Sequence, residues 1–202
     1  MSISKAAGSL ARYLMKELQT TKVQEEVLAY GLEVLFLGAI GLIAVTIGGF
    51  VVGAPAETLA ALISSSLLRL PGGGMHLSSA GKCLAFTAFI FSLIGFLASR
   101  LVGFLLVQQH IAWIILGSGL LSLAASAWLA PVTGPAKPIN SPALRRRLHR
   151  VAVTNSLVVP GVLLFIAGRW PSLAVAGATG LAWQAAIIYL AGTSRHKEVK
   201  PG

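Results

Sequence analysis

Residues Leu28–Val52, LAYGLEVLFLGAIGLIAVTIGGFVV, carry a single charge, Glu33. A hydrocarbon core about 30 Å thick is crossed by roughly 20 apolar residues in a helix, so this stretch predicts a transmembrane span. Composition agrees. The 202 residues are 55% hydrophobic and only 11% charged, with a mean hydropathy of +0.81, whereas a soluble domain carries about 25% charged residues. A carboxylate within a span points to function by default. At the end of its span, Glu33 can equally snorkel to the interface or stay protonated.

Upstream, residues 1–29 alternate Lys5, Arg12, Lys16 and Lys22 with Leu10, Tyr13, Leu14 and Leu18. The three- and four-residue steps predict an amphipathic helix, which lies on an anionic membrane surface or docks on the protein's own core. Downstream, Pro55 and Glu57 open a short Ser-rich segment ending near Leu68, brief for a full crossing. Further spans are expected over 84–107, 111–129, 151–167 and 172–191, with Pro160-Gly161 predicting a kink in the fifth. Residues 130–150 read as a proline-rich basic loop leading into a helix. The expectation is one all-α polytopic membrane domain over 1–202, with about six transmembrane helices and an N-terminal amphipathic helix.

The net charge of +10 comes from 16 Lys and Arg against six Glu and no Asp. Six crossings put both termini on one side. Every Lys and Arg except Arg100 and Arg169 then falls on that side too, which predicts that it faces the cytoplasm. The basic balance reflects topology rather than nucleic-acid binding. One cysteine excludes an intramolecular disulfide and a multi-cysteine metal site. The first 20 residues lack a continuous apolar core, so no cleaved signal peptide is expected.

Chemistry concentrates in Arg69–Thr87, RLPGGGMHLSSAGKCLAFT, where a glycine run, a histidine and the sole cysteine meet. Cys83 is read as a nucleophile with His76 as its base. Lys82, the His76 imidazole and a helix starting near Ser78 or Ser79 all favour a thiolate there. Seven residues separate the pair, about 10 Å along one unbroken helix. A base must come within ~3 Å of its proton, so the stretch must fold back. Gly72, Gly73 and Gly74 allow that. The competing reading makes Cys83 a small core residue and His76 a structural one.

At these residues the chain resembles the accessory gene regulator B (AgrB) family, membrane cysteine endopeptidases of bacterial peptide quorum sensing. The family pattern is an Arg, a Gly-Gly-x-His turn and a Cys seven residues after the His. Here it reads Arg69…Gly73-Gly74-Met75-His76…Cys83, with Thr87 one helical turn on. LAPVTGPAKPI at 129–139, followed by Arg145-Arg146-Arg147, and YGLEVL at 30–35 extend the resemblance along nearly the whole chain. The Pro71-Gly72 character of the turn departs from the pattern. The resemblance implies cleavage of a small amphipathic AgrD-like precursor on its C-terminal side. Cys83 would form an acyl-enzyme thioester, and an internal Cys or Ser of the peptide would close a thiolactone or lactone ring. It implies no cofactor. The expected partners are the precursor and membrane lipid, with a homodimer as an open assembly and no nucleic acid.

Other residues take roles beside that pair. Lys137, Arg145, Arg146, Arg147 and Arg150 either attract an acidic leaving tail or anchor topology and anionic lipid. The amides of Gly73 and Gly74 either form an oxyanion hole or simply permit the turn. No Asp exists to orient His76, and Glu33 is the nearest candidate by topology. The competing class is a non-enzymatic transporter or peptide exporter, with Glu33, Arg100 and a kinked fifth span lining its path. No Walker or H-E-x-x-H motif supports ATP-driven transport or zinc proteolysis.

Overall fold

The computed structural model describes residues 3–18, 22–74, 79–103, 108–132 and 141–198. Within them the chain forms α1 (Ile3–Leu18), α2 (Lys22–Val51), α3 (Pro55–Gly72), α4 (Ala80–Leu101), α5 (Gln108–Leu129), α6 (Pro142–Ala167) and α7 (Pro171–Glu198). The all-α expectation holds. Five helices (α2, α4, α5, α6 and α7) are long and apolar enough to cross a membrane. The short second segment, α3, is not among them; it continues past Leu68 to Gly72, giving 18 residues, or about 27 Å at 1.5 Å per residue.

That extension has to accommodate Pro71 inside the helix. Proline has no N–H, so the carbonyl four residues back loses its helical donor. Asn155 of α6 supplies one, its Nδ2 donating to the Leu67 carbonyl. The break of α3 is thereby postponed to the glycines.

Helix directions follow from close approaches. A Cβ on Gly41 would stand 3.1 Å from Leu84, and one on Gly48 would meet Ser92, so α2 and α4 run parallel. In the same way Gly180 meets Ala61 and Gly72 meets Ile188, so α3 and α7 run together in the opposite sense. The C-terminus of α3, the N-terminus of α4 and the start of α6 therefore share one end of the bundle. Arg69, Lys82 and the Arg145–Arg150 run lie at that end. Arg100 and Arg169 lie at the other.

The most enclosed of the five spans is α7, and α2 is the least. Ala174, Ala176, Ala178, Leu181, Ala185 and Ile188 of α7 are fully or almost fully buried. Small residues let neighbouring backbones close in: a Cβ at Gly180 would lie 2.3 Å from the Ala61 carbonyl oxygen. Because the bundle is assembled around α7, this helix can hold pieces of several others.

Several boundaries differ from the sequence reading. Residues 1–29 are not one helix: α1 stops at Leu18 and α2 begins at Lys22. The first helix docks on α2 through Ala7 and Ala11, while Leu10 and Tyr13 stay exposed. Two helices approach more closely through alanines than through leucines, so the small face is the one buried. The third span begins at Ala80, because Ser79 caps it, and ends at Leu101 rather than 107. The basic run of the 130–150 loop is already helical. Ser141 caps α6, accepting from Leu144 N at 3.4 Å with Pro142 in the first turn, and α6 runs unbroken through Pro160 to Ala167.

Candidate functional site

The glycine turn closes α3. Gly73 has φ +77° and ψ −158°, a region essentially confined to glycine. Its N–H donates to the Arg69 carbonyl at 2.9 Å, and the Val132 N–H donates to the Gly72 carbonyl at 2.9 Å. Val132, just after α5, is thus pinned to the turn, making a parallel bridge between Gly73 and Val132. No side chain fits between them, since a Cβ at Gly73 would lie 2.1 Å from the Val132 oxygen.

A residue the sequence reading missed completes this turn. Gln184 of α7 is 1% exposed, and its Nε2 donates to the Gly73 carbonyl at 2.9 Å. Its Oε1 accepts from Ser65 of α3 at 3.5 Å. The available signal was a lone amide in an Ala/Ile/Leu-rich span, where a polar group must find a partner.

Cys83 lies in the first turns of α4. Ser79, extended at φ −142°, accepts through its side chain from Lys82 N at 3.3 Å. The Cys83 N–H donates to the Ser79 carbonyl at 3.1 Å. The Ser79 cap expected from the sequence is therefore present, and the cysteine is half-buried and free of disulfide bonding. One turn on, Phe86 packs on Trp183 of α7 with ring centroids 6.1 Å apart. Adjacent residues of α7 thus brace the two halves of the motif: Trp183 holds the cysteine helix and Gln184 holds the glycine turn.

Met75, His76, Leu77 and Ser78, which join Gly74 to Ser79, lie outside the described residues, and with them the expected base. Lys137 does as well. The oxyanion expectation changes at Gly73, whose N–H is committed to Arg69. No backbone bond from the Gly74 N–H is made among the described residues. Glu33 accepts from Ser4 Oγ of α1 at 2.6 Å, which ties it to the α1–α2 contact. Arg100 lies exposed at the far end of α4, its guanidinium 5.6 Å from the Phe96 ring centroid. Glu33 and Arg100 thus sit toward opposite ends of the bundle and do not face each other along one path.

Beside the turn, Ala130, Pro131, Arg145, Arg146, His149 and Arg150 line an open cleft of about 590 Å³. Arg147 instead lines a smaller one of about 230 Å³, with Arg150, Val151, Thr154 and Asn155. His149 Nδ1 lies 2.9 Å from the Ala130 carbonyl oxygen. A carbonyl only accepts, so Nδ1 carries the proton and Nε2 is the other ring nitrogen.

The family model described as Accessory gene regulator B matches residues 7–188. An AgrB-like protein of Clostridium perfringens (strain 13 / Type A) is 27% identical over 165 residues, covering 78% of this chain and 72% of that protein. No solved structure matches.

Proposed function

The chain belongs to the accessory gene regulator B family, and from that premise we propose that it is a cysteine endopeptidase maturing an AgrD-like signalling peptide. Family membership carries the general role, peptide processing in quorum sensing. The narrower reading rests on one observation: Trp183 and Gln184 together brace the glycine turn and the start of the Cys83 helix.

In this mechanism His76 removes the Cys83 proton, and the sulfur bonds to the scissile carbonyl carbon. The developing oxyanion meets the Gly74 N–H. The carbon–nitrogen bond breaks, the proton passes from His76 to the departing amine, and the peptide stays on Cys83 as a thioester. An internal Cys or Ser of the peptide then attacks that thioester, closing the ring and freeing Cys83. A bound peptide that covers the sulfur and keeps water from it favours ring closure over hydrolysis. Lys137, Arg145, Arg146 and Arg150 attract the acidic tail as it leaves, and Glu33 orients His76. The end gathering these bases faces the cytoplasm, in the cell membrane.

The test is co-expression of the full chain with a precursor epitope-tagged at both ends, read by immunoblot. Cys83→Ala and His76→Ala are each expected to abolish cleavage while the protein remains in the membrane fraction. Full cleavage by either variant removes the role assigned to that residue. Glu33→Gln is expected to slow cleavage without stopping it. Wild-type rates would reduce Glu33 to its bond with Ser4.

A further inference from the structure

The Arg145–Arg150 run is not uniform around its helix. At 100° per residue, Arg145, Arg146, His149 and Arg150 fall within one arc, and Arg147 falls outside it. The four residues of the arc line the larger cleft, while Arg147 lines only the smaller, which it shares with Arg150. The larger cleft lies within the size range of small-ligand sites, about 300–1,000 Å³. Its wall at Ala130-Pro131 runs directly into Val132, whose N–H bonds to the Gly72 carbonyl. A molecule in this cleft therefore lies next to the glycine turn along a continuous backbone path.

His149 gives the cleft a polar group fixed by the fold. Its Nδ1–H is held by the Ala130 carbonyl, which fixes the tautomer and the ring plane. Nε2 is left for an occupant. It accepts a hydrogen bond from an N–H of the occupant. The arginines add planar forks that match carboxylates.

We propose that this cleft is a carboxylate receptor reading the acidic C-terminal side of the precursor. Arg145, Arg146, Arg150 and His149 form it, and Arg147 lies outside it. The identity of the occupant rests on the endopeptidase reading above. The cleft fixes which side of the scissile bond lies over the turn. It also separates a built site from a general attraction spread over every base of the run.

The experiment uses the full chain in phosphatidylcholine nanodiscs and a fluorescent hexaglutamate peptide, read by anisotropy. Arg145→Gln, Arg146→Gln and Arg150→Gln are each expected to weaken binding about fivefold, as exposed charge pairs allow. Arg147→Gln should change it by less than about twofold on the same basis. His149→Asn keeps a donor for the Ala130 carbonyl but removes the group at Nε2, and should weaken binding severalfold. His149→Gln, which places an amide near Nε2, should restore it.

Equal losses across all four arginine variants would mean diffuse attraction and overturn the receptor. Equal binding of hexaglutamine would do so as well. Loss of hexaglutamate binding in phosphatidylglycerol nanodiscs, with the variants then altering lipid binding instead, would assign the cleft to lipid headgroups and overturn it. Binding needs no turnover, so the two readings fail separately. If Cys83→Ala still cleaves but the arginine variants discriminate, the protease reading falls and the receptor stands. If Cys83→Ala is dead but the variants do not discriminate, the reverse holds.

Discussion

The two halves of the central motif are built in opposite ways. The glycine half is locked: Gly73 bonds to Arg69 and Gln184, Gly72 bonds to Val132, and the Gly72 Cα faces Ile188 at close quarters. The cysteine half is open at its start, with Ser79, Ala80, Gly81 and Lys82 all exposed. It is held by its own cap and by one aromatic contact a turn further on. A site that must present fixed amides to a reacting carbonyl needs the first kind of construction. A site that must admit a peptide to a sulfur needs the second. On the endopeptidase reading proposed above, backbone geometry falls to α3 and α7, and substrate access to the start of α4.

The largest effect should come from breaking the locked half at its tightest point. Gly73→Ala forces a side chain into a glycine-only region, which costs about 1–3 kcal/mol, and drives a methyl group against the Val132 oxygen. The turn must move, so cleavage of the tagged precursor should disappear and thermal unfolding in detergent should shift down. Normal cleavage would mean that the turn is not part of the site.

Gln184→Leu comes next. It preserves bulk but leaves the Gly73 carbonyl without its donor, at a cost of about 1–3 kcal/mol. Because the residue braces the turn rather than touching substrate, kcat should fall while KM stays near the wild-type value. A rise in KM alone would place Gln184 in substrate binding instead.

These two residues also mark what the sequence could and could not convey. The Gly72–Gly74 run was readable as a turn, because successive glycines free the backbone. The Ser79 cap was readable because its signal is local. Gln184 was not, because its partner lies 111 residues away and no periodicity links an amide in α7 to a carbonyl at the end of α3. The face of α1 that meets α2 was not readable, for a related reason. Leucine spacing identifies the greasy side of an isolated helix, but Ala7 and Ala11 decide how closely α2 can approach. Likewise Pro71 reads as a stop until Asn155 is found donating to Leu67 from another helix.

The smallest effect should come from the same kind of substitution in the open half. A Cβ at Gly81 would meet nothing within 4 Å, and the residue is helical, so Gly81→Ala relieves a conformational cost of up to about 1 kcal/mol. Unfolding temperature should stay level or rise slightly. If the opening of α4 only needs to leave a path to Cys83, cleavage continues at nearly the wild-type rate, and the two glycine variants differ in sign on stability. If cleavage falls while stability rises, the substrate backbone must pass directly over Gly81. The open half would then be a fitted surface rather than a gap, and the contrast with the locked half would concern which molecule fills the space rather than whether it is filled.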